Sequence, residues 1–147
     1  MAIQSVSPEQ AQELIEQGAV YVDVRSEPEF EQGHPPGALN VPIAHLGPGG
    51  MTPNAEFLSV MQSAFAKTEQ LVVGCKAGGR SRRAAEMLEQ AGFADLSDMA
   101  AGWEGSRDAF GRPQPGWSKK GLPVETGNPE EQSYEGVQRR AAARSAP

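Results

Sequence analysis

The chain has 147 residues, a mass of 15.6 kDa and a formal net charge of −6, which allows one compact domain with a short extension. The acidic balance argues against a nucleic-acid-binding protein, which usually carries a basic surface. No apolar run approaches the roughly 18–20 residues that span a bilayer, and MAIQSVSPEQ lacks the features of a signal peptide, so we expect a cytoplasmic protein without membrane partners.

Short apolar runs alternate with helical patterns along the first part of the chain. Residues 3–6 are predicted to form a strand. SPEQ (residues 7–10) then starts a helix, with Ser at the N-cap, Pro at the first position and Gln completing a capping box. AVYVDV (residues 19–24) is β-branched and apolar, as expected of a buried strand. SEPEFEQG predicts a polar turn or short helix, and a brief strand follows around residues 38–41.

The alternation continues beyond a GPGG loop at residues 47–50. The patterns predict a helix, a strand, a helix, a strand and a helix over residues 54–68, 71–74, 81–91, 93–98 and 100–110. This order of elements predicts an α/β domain with a largely parallel sheet.

The composition changes after the first 125 residues, which we assign to the domain. Residues 126–147 are polar, lack a hydrophobic stripe and end in an Arg/Ala-rich stretch. This composition predicts a mobile tail. The alternative is a short helix over residues 134–143 that docks on a partner.

The most informative stretch is LVVGCKAGGRS, residues 71–81. It places Cys75, the only cysteine, at the carboxyl end of a strand, where parallel sheets collect ligands. The following glycines allow the loop to curl so that its N–H groups converge on an anion, and the next helix adds partial positive charge at its N-terminus. Because several cations also lie nearby, we expect Cys75 to ionise readily rather than to be an inert core residue.

Four motifs, in this order, resemble the rhodanese superfamily of sulfurtransferases, specifically its single-domain members. VYVDVRSEPEFEQGHPPGALNVP is similar to the family's N-terminal signature, and CKAGGRS to its C-x-x-G-x-[RS]-S active-site loop. MAAGWEG is similar to the L-x-G-G-[WF] segment, and WSKKGLPVE to the G-[LY]-P-[VT] ending. The resemblance implies a five-stranded, mainly parallel sheet with helices on both faces. Two residues depart from the pattern: Pro35 replaces an Ile or Val, and Ala101 replaces the first glycine of the G-G-[WF] pair, which requires that this residue not have a positive φ.

The resemblance also implies a reaction. Cys75 would attack the outer sulfur of thiosulfate or of a persulfide donor and carry that sulfur as a persulfide; with thiosulfate, sulfite would be released. Cyanide or a thiol, including a protein thiol, would then remove the sulfur. Neither a metal nor another cofactor is implied. The substrate is expected to bind the loop residues Lys76, Ala77, Gly78, Gly79 and Arg80. Asp23 and Arg25 are expected to form an internal ion pair that supports the loop together with Ser81.

Other polar and aromatic residues are expected to have structural roles. Glu29 and Glu31 are predicted to be solvated, and His34 to make a structural hydrogen bond. Trp103 and Trp117 either line the pocket or pack in the core.

Three alternatives to an enzyme of this class remain open at this point. A cysteine phosphatase or arsenate reductase would carry an arginine six positions after the cysteine, where this chain has Ser81, with Arg80 one position early. A persulfide carrier or protein-interaction module would use the same loop with little small-molecule turnover, and residues 106–117 and the tail would be its docking surfaces. A redox-sensing thiol would be oxidised rapidly by peroxide.

Overall fold

The structure is a computed structural model that describes residues 3–145. These residues form nine strands: β1 Gln4–Val6, β2 Val20–Asp23, β3 Leu39–Asn40, β4 Ala44–Gly47, β5 Gly50–Pro53, β6 Gln70–Gly74, β7 Asp95–Met99, β8 Gly105–Arg107 and β9 Pro113–Pro115. Five of them build a sheet in the order β1-β7-β6-β2-β3, and every neighbouring pair in it is parallel. The predicted α/β class with a five-stranded parallel sheet is therefore confirmed.

Five α-helices cover the two faces of the sheet: α1 Pro8–Glu16, α2 Glu27–Gln32, α3 Phe57–Ala64, α4 Gly79–Gln90 and α5 Tyr134–Ser145. The buried side chains of α3, α4 and α5 join one core cluster, and those of α1 and α2 join the other. A single 3₁₀ turn, Trp117–Lys119, contributes the fully buried Trp117 to the second cluster. None of the helices in this part of the chain combines the length and apolarity needed to cross a membrane.

Local sequence explains where α1 begins. Ser7 accepts a hydrogen bond from the N–H of Gln10, and the Gln10 side chain accepts one from the N–H of Ser7. This capping box, with Pro8 at the start of the helix, was predicted from the sequence and is confirmed.

The central strands alternate their side chains between the two cores. In β6, Leu71 and Val73 belong to the cluster under α3, α4 and α5, whereas Val72 belongs to the opposite cluster. In β2, Val22 belongs to the cluster under α3, α4 and α5, and Tyr21 belongs to the opposite cluster. Both faces of these strands are buried, which explains why their sequences are continuously apolar rather than alternating.

Two segments differ from the prediction. The GPGG loop is the turn of an exposed antiparallel hairpin formed by β4 and β5. The helix predicted over residues 100–110 is wrong, because β8 lies within that range and pairs antiparallel with β9. Gly102 and Gly105 have φ angles of 73° and 125°, which lie outside the α-helical region, so they interrupt any helix there.

The segment after residue 125 also requires a correction, because it does not form a mobile tail where the structure describes it. Tyr134, Val137 and Ala141 of α5 are buried in the core beside α3. Arg140 Nε donates to the carbonyl oxygen of Ala64 at 2.9 Å, and Arg144 Nε to that of Ser63 at 3.0 Å, so both arginines satisfy carbonyls in the last turn of α3. The helix is the alternative prediction for this segment, but its apolar face lies on the chain's own core. Residues 146 and 147 lie outside the described range.

Candidate active site

Cys75 directly follows β6, a central strand between β2 and β7. Its residue surface is 2% exposed. Because the three strands are parallel, their carboxyl ends meet at one edge of the sheet, where Asp23 ends β2 and Asp98 lies near the end of β7. The only cysteine of the chain therefore lies at the edge of a parallel sheet where ligands usually bind.

The loop after Cys75 directs a backbone donor at the sulfur. The N–H of Gly78 donates to Cys75 Sγ at 3.0 Å. Gly78 is the N-cap of α4 and has a φ of 99°, and a β-carbon on it would collide with the carbonyl oxygen of Ala100. The helix begins at Gly79, two residues earlier than predicted. The positive end of a twelve-residue helix therefore starts within the loop itself, where it favours a bound anion.

A second segment holds the loop in place from the other side. The N–H of Trp103 donates to the carbonyl oxygen of Cys75 at 2.7 Å, and that of Glu104 to the carbonyl oxygen of Lys76 at 3.0 Å. Gly102 has a φ of 73°, and a β-carbon there would meet the backbone of Lys76. By contrast, Ala101 does not have a positive φ, as its departure from the glycine pattern requires.

Asp23 and Arg25 form the expected internal ion pair. Arg25 Nη2 donates to Asp23 Oδ2 at 2.6 Å and to the carbonyl oxygen of Gly33 at 2.6 Å, and both side chains are at least 95% buried. Burial alone would lower the pKa of Arg25, but the Asp23 carboxylate raises it above its usual value. The guanidinium carbon lies 5.1 Å from the ring centre of Trp103, so the pair connects the end of β2 to the segment that anchors the loop.

Arg80 is the loop cation held most firmly, and it binds Glu29. Its Nη1 and Nη2 donate to the two carboxylate oxygens of Glu29 at 2.8 and 2.9 Å, so the prediction that Glu29 is solvated is wrong. Burial alone would raise the pKa of Glu29, but hydrogen bonds from Arg80 and Ser26 outweigh it and lower the pKa to about 2. Lys76 is half exposed, with its Nζ 3.8 Å from a Glu104 carboxylate oxygen. The loop therefore brings both predicted substrate-binding cations close to carboxylates.

Ser81 lies beside the sulfur and contacts Asp98, a residue that is not among the predicted site residues. Ser81 Oγ lies 3.5 Å from Cys75 Sγ and donates to Asp98 Oδ1 at 2.6 Å. All three residues are at least 97% buried. Asp98 was assigned only to a strand, yet its position near the carboxyl end of a predicted parallel strand was a signal that it would face the same edge as Cys75.

A recess of about 290 Å³ opens beside the loop. Its walls include Ala44, Met51 and Pro53 of the β4–β5 hairpin and Arg80, Arg83 and Met87 of α4. The hairpin was not predicted, so this apolar surface next to the site could not be anticipated. Across residues 3–145, no group of three or more His, Cys, Asp or Glu side chains is arranged to bind a metal ion.

The side chains of His34 and Trp117 make hydrogen bonds that do not involve Cys75. Both ring nitrogens of His34 contact oxygens: Nδ1 lies 2.7 Å from the carbonyl oxygen of Phe30, and Nε2 lies 3.0 Å from Glu125 Oε1. His34 therefore makes structural hydrogen bonds, as predicted. Trp117 is fully buried and donates through Nε1 to the carbonyl oxygen of Pro123 at 2.7 Å, so it belongs to the core.

Comparisons with known proteins agree with this architecture. The model of the Rhodanese-like domain matches residues 7–109. The chain is similar to thiosulfate sulfurtransferase 16, chloroplastic, of Arabidopsis thaliana, with 39% identity over 120 residues that cover 82% of this chain and 91% of that protein. It is also similar to the thiosulfate sulfurtransferase GlpE of Haemophilus influenzae, with 29% identity over 126 residues that cover 86% and 98% of the two chains.

Other plant relatives are longer, and the chain spans 60% of the length of two that are 36% identical to it. Among solved structures, that of Rv0390 from M. tuberculosis superimposes with a TM-score of 0.71 at 31% sequence identity, covering 86% of this chain and all of that one. The fold of this chain is therefore shared with a solved structure that it also resembles in sequence.

Proposed function

The chain belongs to the rhodanese-like family, and from that premise we propose that it is a sulfurtransferase that moves sulfane sulfur from thiosulfate to a thiophilic acceptor. The observation that carries the proposal is the position of Cys75 Sγ under the N–H of Gly78, at the N-terminus of α4. Such a site stabilises a sulfur anion, whether it is a thiolate or a persulfide.

In the first half-reaction, the Cys75 thiolate attacks the outer sulfur of thiosulfate. A sulfur–sulfur bond forms on Cys75, and the sulfur–sulfur bond of the donor breaks with its electron pair leaving on sulfite. The product is a cysteine persulfide whose terminal sulfur carries the negative charge. The backbone N–H groups of the loop and the N-terminus of α4 are the groups that offset this charge.

In the second half-reaction, a nucleophile attacks the terminal sulfur of the persulfide. Cyanide leaves as thiocyanate, or a thiolate leaves as a persulfide, and the electron pair of the broken bond returns to Cys75 as a thiolate. Because Cys75 is the only cysteine in the 147 residues, no second thiol among these residues accepts the sulfur. The acceptor that we propose is a separate molecule or another chain.

The electrostatics of the site suit a small dianionic donor. Arg80 lies on the first turn of α4 and Lys76 lies in the loop, and both are cations within the donor's approach. Their contacts with Glu29 and Glu104 reduce the net positive charge of the entrance. This balance favours moderate attraction of thiosulfate rather than tight retention, which suits a site that must also release sulfite.

Intact-mass spectrometry tests the proposed function. Incubation with thiosulfate should add one sulfur, roughly 32 Da, to Cys75, and subsequent cyanide should remove it. The Cys75→Ser variant is the control and should gain nothing. If the wild-type protein gains no sulfur from thiosulfate, or if cyanide leaves the added mass in place, the proposed function is wrong.

A protein thiol is the second class of acceptor that we propose. The recess beside Arg80 has apolar walls, and Met51 on its rim is 47% exposed. Leu46, which pairs with Met51 across the hairpin, is 56% exposed. A larger acceptor would use this surface and cyanide would not, so Leu46→Ser should slow transfer to a protein thiol without changing transfer to cyanide. Equal slowing with both acceptors would contradict this role.

The structure does not favour a phosphatase. Arg80 is the fifth residue after Cys75 and is held by both oxygens of Glu29, while the sixth position is the buried Ser81. The side chain that would clamp a phosphoryl group bidentately is therefore displaced and already occupied.

We also propose a cytoplasmic location, because a reducing compartment keeps a reactive thiol available. Cell fractionation should recover the protein with cytosolic markers. Recovery inside an organelle or outside the cell would contradict this location.

A further inference from the structure

We propose that Ser81 and Asp98 form a buried proton relay that accepts the thiol proton of Cys75 and thereby generates the attacking thiolate. The relay rests on the proposed function only for its role in sulfur transfer. In this assignment Ser81 contacts the reacting sulfur, and Asp98 acts through Ser81 as a positioning residue.

The geometry provides a continuous path for a proton. Cys75 Sγ lies 3.5 Å from Ser81 Oγ, within reach of a hydrogen bond to sulfur, and Ser81 Oγ lies 2.6 Å from Asp98 Oδ1. The three residues are 2%, 0% and 3% exposed. Water therefore does not compete for these contacts, and a hydrogen bond in such surroundings is stronger than one in solvent.

The orientation of the Ser81 hydroxyl hydrogen determines whether Ser81 can accept the proton of Cys75. Two acceptors lie near Ser81 Oγ: the Asp98 carboxylate at 2.6 Å and the carbonyl oxygen of Gly78 at 3.1 Å. The shorter bond, to an ionised group, is the stronger one. When the hydroxyl hydrogen points to Asp98, a lone pair of Ser81 faces the sulfur and accepts its S–H.

Proton transfer along this path balances in atoms and charge. The proton of Cys75 passes to Ser81 Oγ while the hydroxyl proton of Ser81 passes to Asp98 Oδ1. The carboxylate becomes a carboxylic acid and the thiol becomes a thiolate, so the cluster holds one negative charge before and after. Burying a new charge is costly, and the relay avoids that cost because it only moves the charge toward the N–H of Gly78.

The surroundings of Asp98 favour its role as a proton acceptor. Burial raises the pKa of Asp98, and the hydrogen bond from Ser81 opposes this rise. Two charged residues of α4 also act on it: Arg82 lowers the pKa of Asp98 and Glu86 raises it. A carboxyl group with a raised pKa is a better base than an exposed one.

Other charged or titratable groups surround the sulfur on the neighbouring elements. Tyr21, Asp23 and Arg25 lie on or just after β2, and Arg80 lies on α4. Arg25 and Arg80 are both bound to carboxylates. Neither of these arginines makes a hydrogen bond with Ser81 or Asp98 in the described part of the chain, so the relay is separate from the two ion pairs.

The pH dependence of thiolate reactivity tests the relay. The rate of Cys75 modification by methyl methanethiolsulfonate, a small thiol reagent, is measured by intact mass across a pH series. A relay makes part of the thiolate population independent of pH, so the wild-type rate should be flat over a range of pH above that at which Asp98 ionises. Asp98→Asn and Ser81→Ala should each remove this flat region and lower the rate at its acid end by about 10²-fold, at the low end for a positioned proton acceptor.

Matched variants separate a relay from a structural role. Asp95→Asn removes an exposed carboxylate from the same strand, and Ser59→Ala removes a hydroxyl that bonds a carbonyl three residues earlier in α3; both should retain the flat region. Ser81→Thr keeps a hydroxyl and should retain it as well. The double variant Ser81→Ala/Asp98→Asn should be no more impaired than either single variant, because both remove one path.

Two results would overturn the relay. If Asp98 acted only through its negative charge, Asp98→Asn would raise the reagent rate across the pH series. If Asp98 had only a structural role, Asp98→Asn would lower the melting temperature without changing how the reagent rate depends on pH. The Ser81→Ala variant gives an independent reading if Asp98→Asn fails to fold. Since the reagent needs no sulfur donor, a protein that gains no sulfur from thiosulfate but keeps the flat region would contradict the proposed function alone.

Discussion

Arg80 and Glu29 join the loop that follows Cys75 to helix α2. The guanidinium of Arg80, on the first turn of α4, binds both oxygens of the Glu29 carboxylate, on α2. The same carboxylate accepts a hydrogen bond from the N–H of Ser26, which caps α2. One carboxylate therefore caps the start of α2 and also holds the guanidinium of Arg80.

Removal of either partner of this contact should affect KM for thiosulfate differently. Arg80→Ala removes a cation and leaves the Glu29 carboxylate unpaired at the entrance, so KM for thiosulfate should rise roughly fivefold, equivalent to about 1 kcal/mol for a partly exposed ion contact. Glu29→Gln releases Arg80 and should leave KM unchanged or lower it. Steady-state kinetics with thiosulfate and cyanide measure both. Arg82→Ala, on the exposed side of the same helix, is the control, and a similar KM increase in it would refute a specific role for Arg80.

The same contact predicts an acid-sensitive contribution to stability. Glu29 has a pKa of about 2 in the fold, below its ordinary value of 4.5, so its ionised form is favoured by folding. The contribution is complete above about pH 4.5 and is lost as the pH falls toward 2. Glu29→Gln should therefore lower the free energy of unfolding at neutral pH by about 1 kcal/mol, after allowance for partial exposure, and by progressively less below pH 4.5. Urea unfolding of the wild type and the variant at several pH values measures this difference. For Glu31→Gln, on the same helix, the difference from the wild type should not shrink as the pH falls.

The same glycine-to-alanine substitution at Gly78 and at Gly111 tests the geometry of the loop that follows Cys75. Both have positive φ, 99° and 78°, but only at Gly78 would a β-carbon collide with another backbone atom. Gly111→Ala should cost about 1 kcal/mol and leave transfer intact. Gly78→Ala should cost roughly 3 kcal/mol, because displacement of the loop adds to the strained φ, and it should abolish persulfide formation. Thermal unfolding and intact mass measure the two effects, and normal persulfide formation in Gly78→Ala would contradict the proposed cradle.

Helix α5 should be required for stability. Val137 is fully buried in the core, so Val137→Ala should lower the free energy of unfolding by about 2 kcal/mol. Val124→Ala removes the same two methyl groups from a side chain that is 48% exposed and should change stability by less than about 0.5 kcal/mol. Equal effects in urea unfolding would show that α5 does not stay on the core in solution.

The most accurate sequence predictions concerned elements whose signals are local. The capping box at Ser7 and the apolar runs of β2 and β6 depend on residues within a few positions of one another, and the structure has these elements with small shifts of their ends. The position of Cys75 follows in the same way from the strand that precedes it and the glycines that come after it. The resemblance to a known family then placed these elements in one sheet.

The predictions failed where structure depends on distant or weak signals. The strands of the β4–β5 hairpin are largely exposed on both faces, so they show no alternation of apolar and polar residues. In α5 the buried face consists mainly of Tyr134, Val137 and Ala141, whose small apolar stripe is obscured by the arginines around it. A serine at position 133, which accepts a hydrogen bond from the N–H of Gly136, was an available helix-start signal. The contact of Glu29 could not be predicted because its partner Arg80 lies 51 residues later in the chain. The position of Asp98 near the end of β7 indicated which edge of the sheet it occupies, but not its hydrogen bond with Ser81.

The pairing of β1 with β7 determines when the sheet can be completed during synthesis. Gln4 lies opposite Ser97, and Val6 opposite Met99, so of the five strands in this sheet the one that comes first in the sequence pairs with the one that comes last. Until β7 has been synthesised, β1 has no strand to pair with. Closing the long loop between β1 and β7 costs entropy, which is offset only when the contacts between these strands form. About two thirds of the 147 residues must therefore be synthesised before β1 can pair with β7, and completion of this edge of the sheet is expected to be a late step rather than one that follows translation strand by strand.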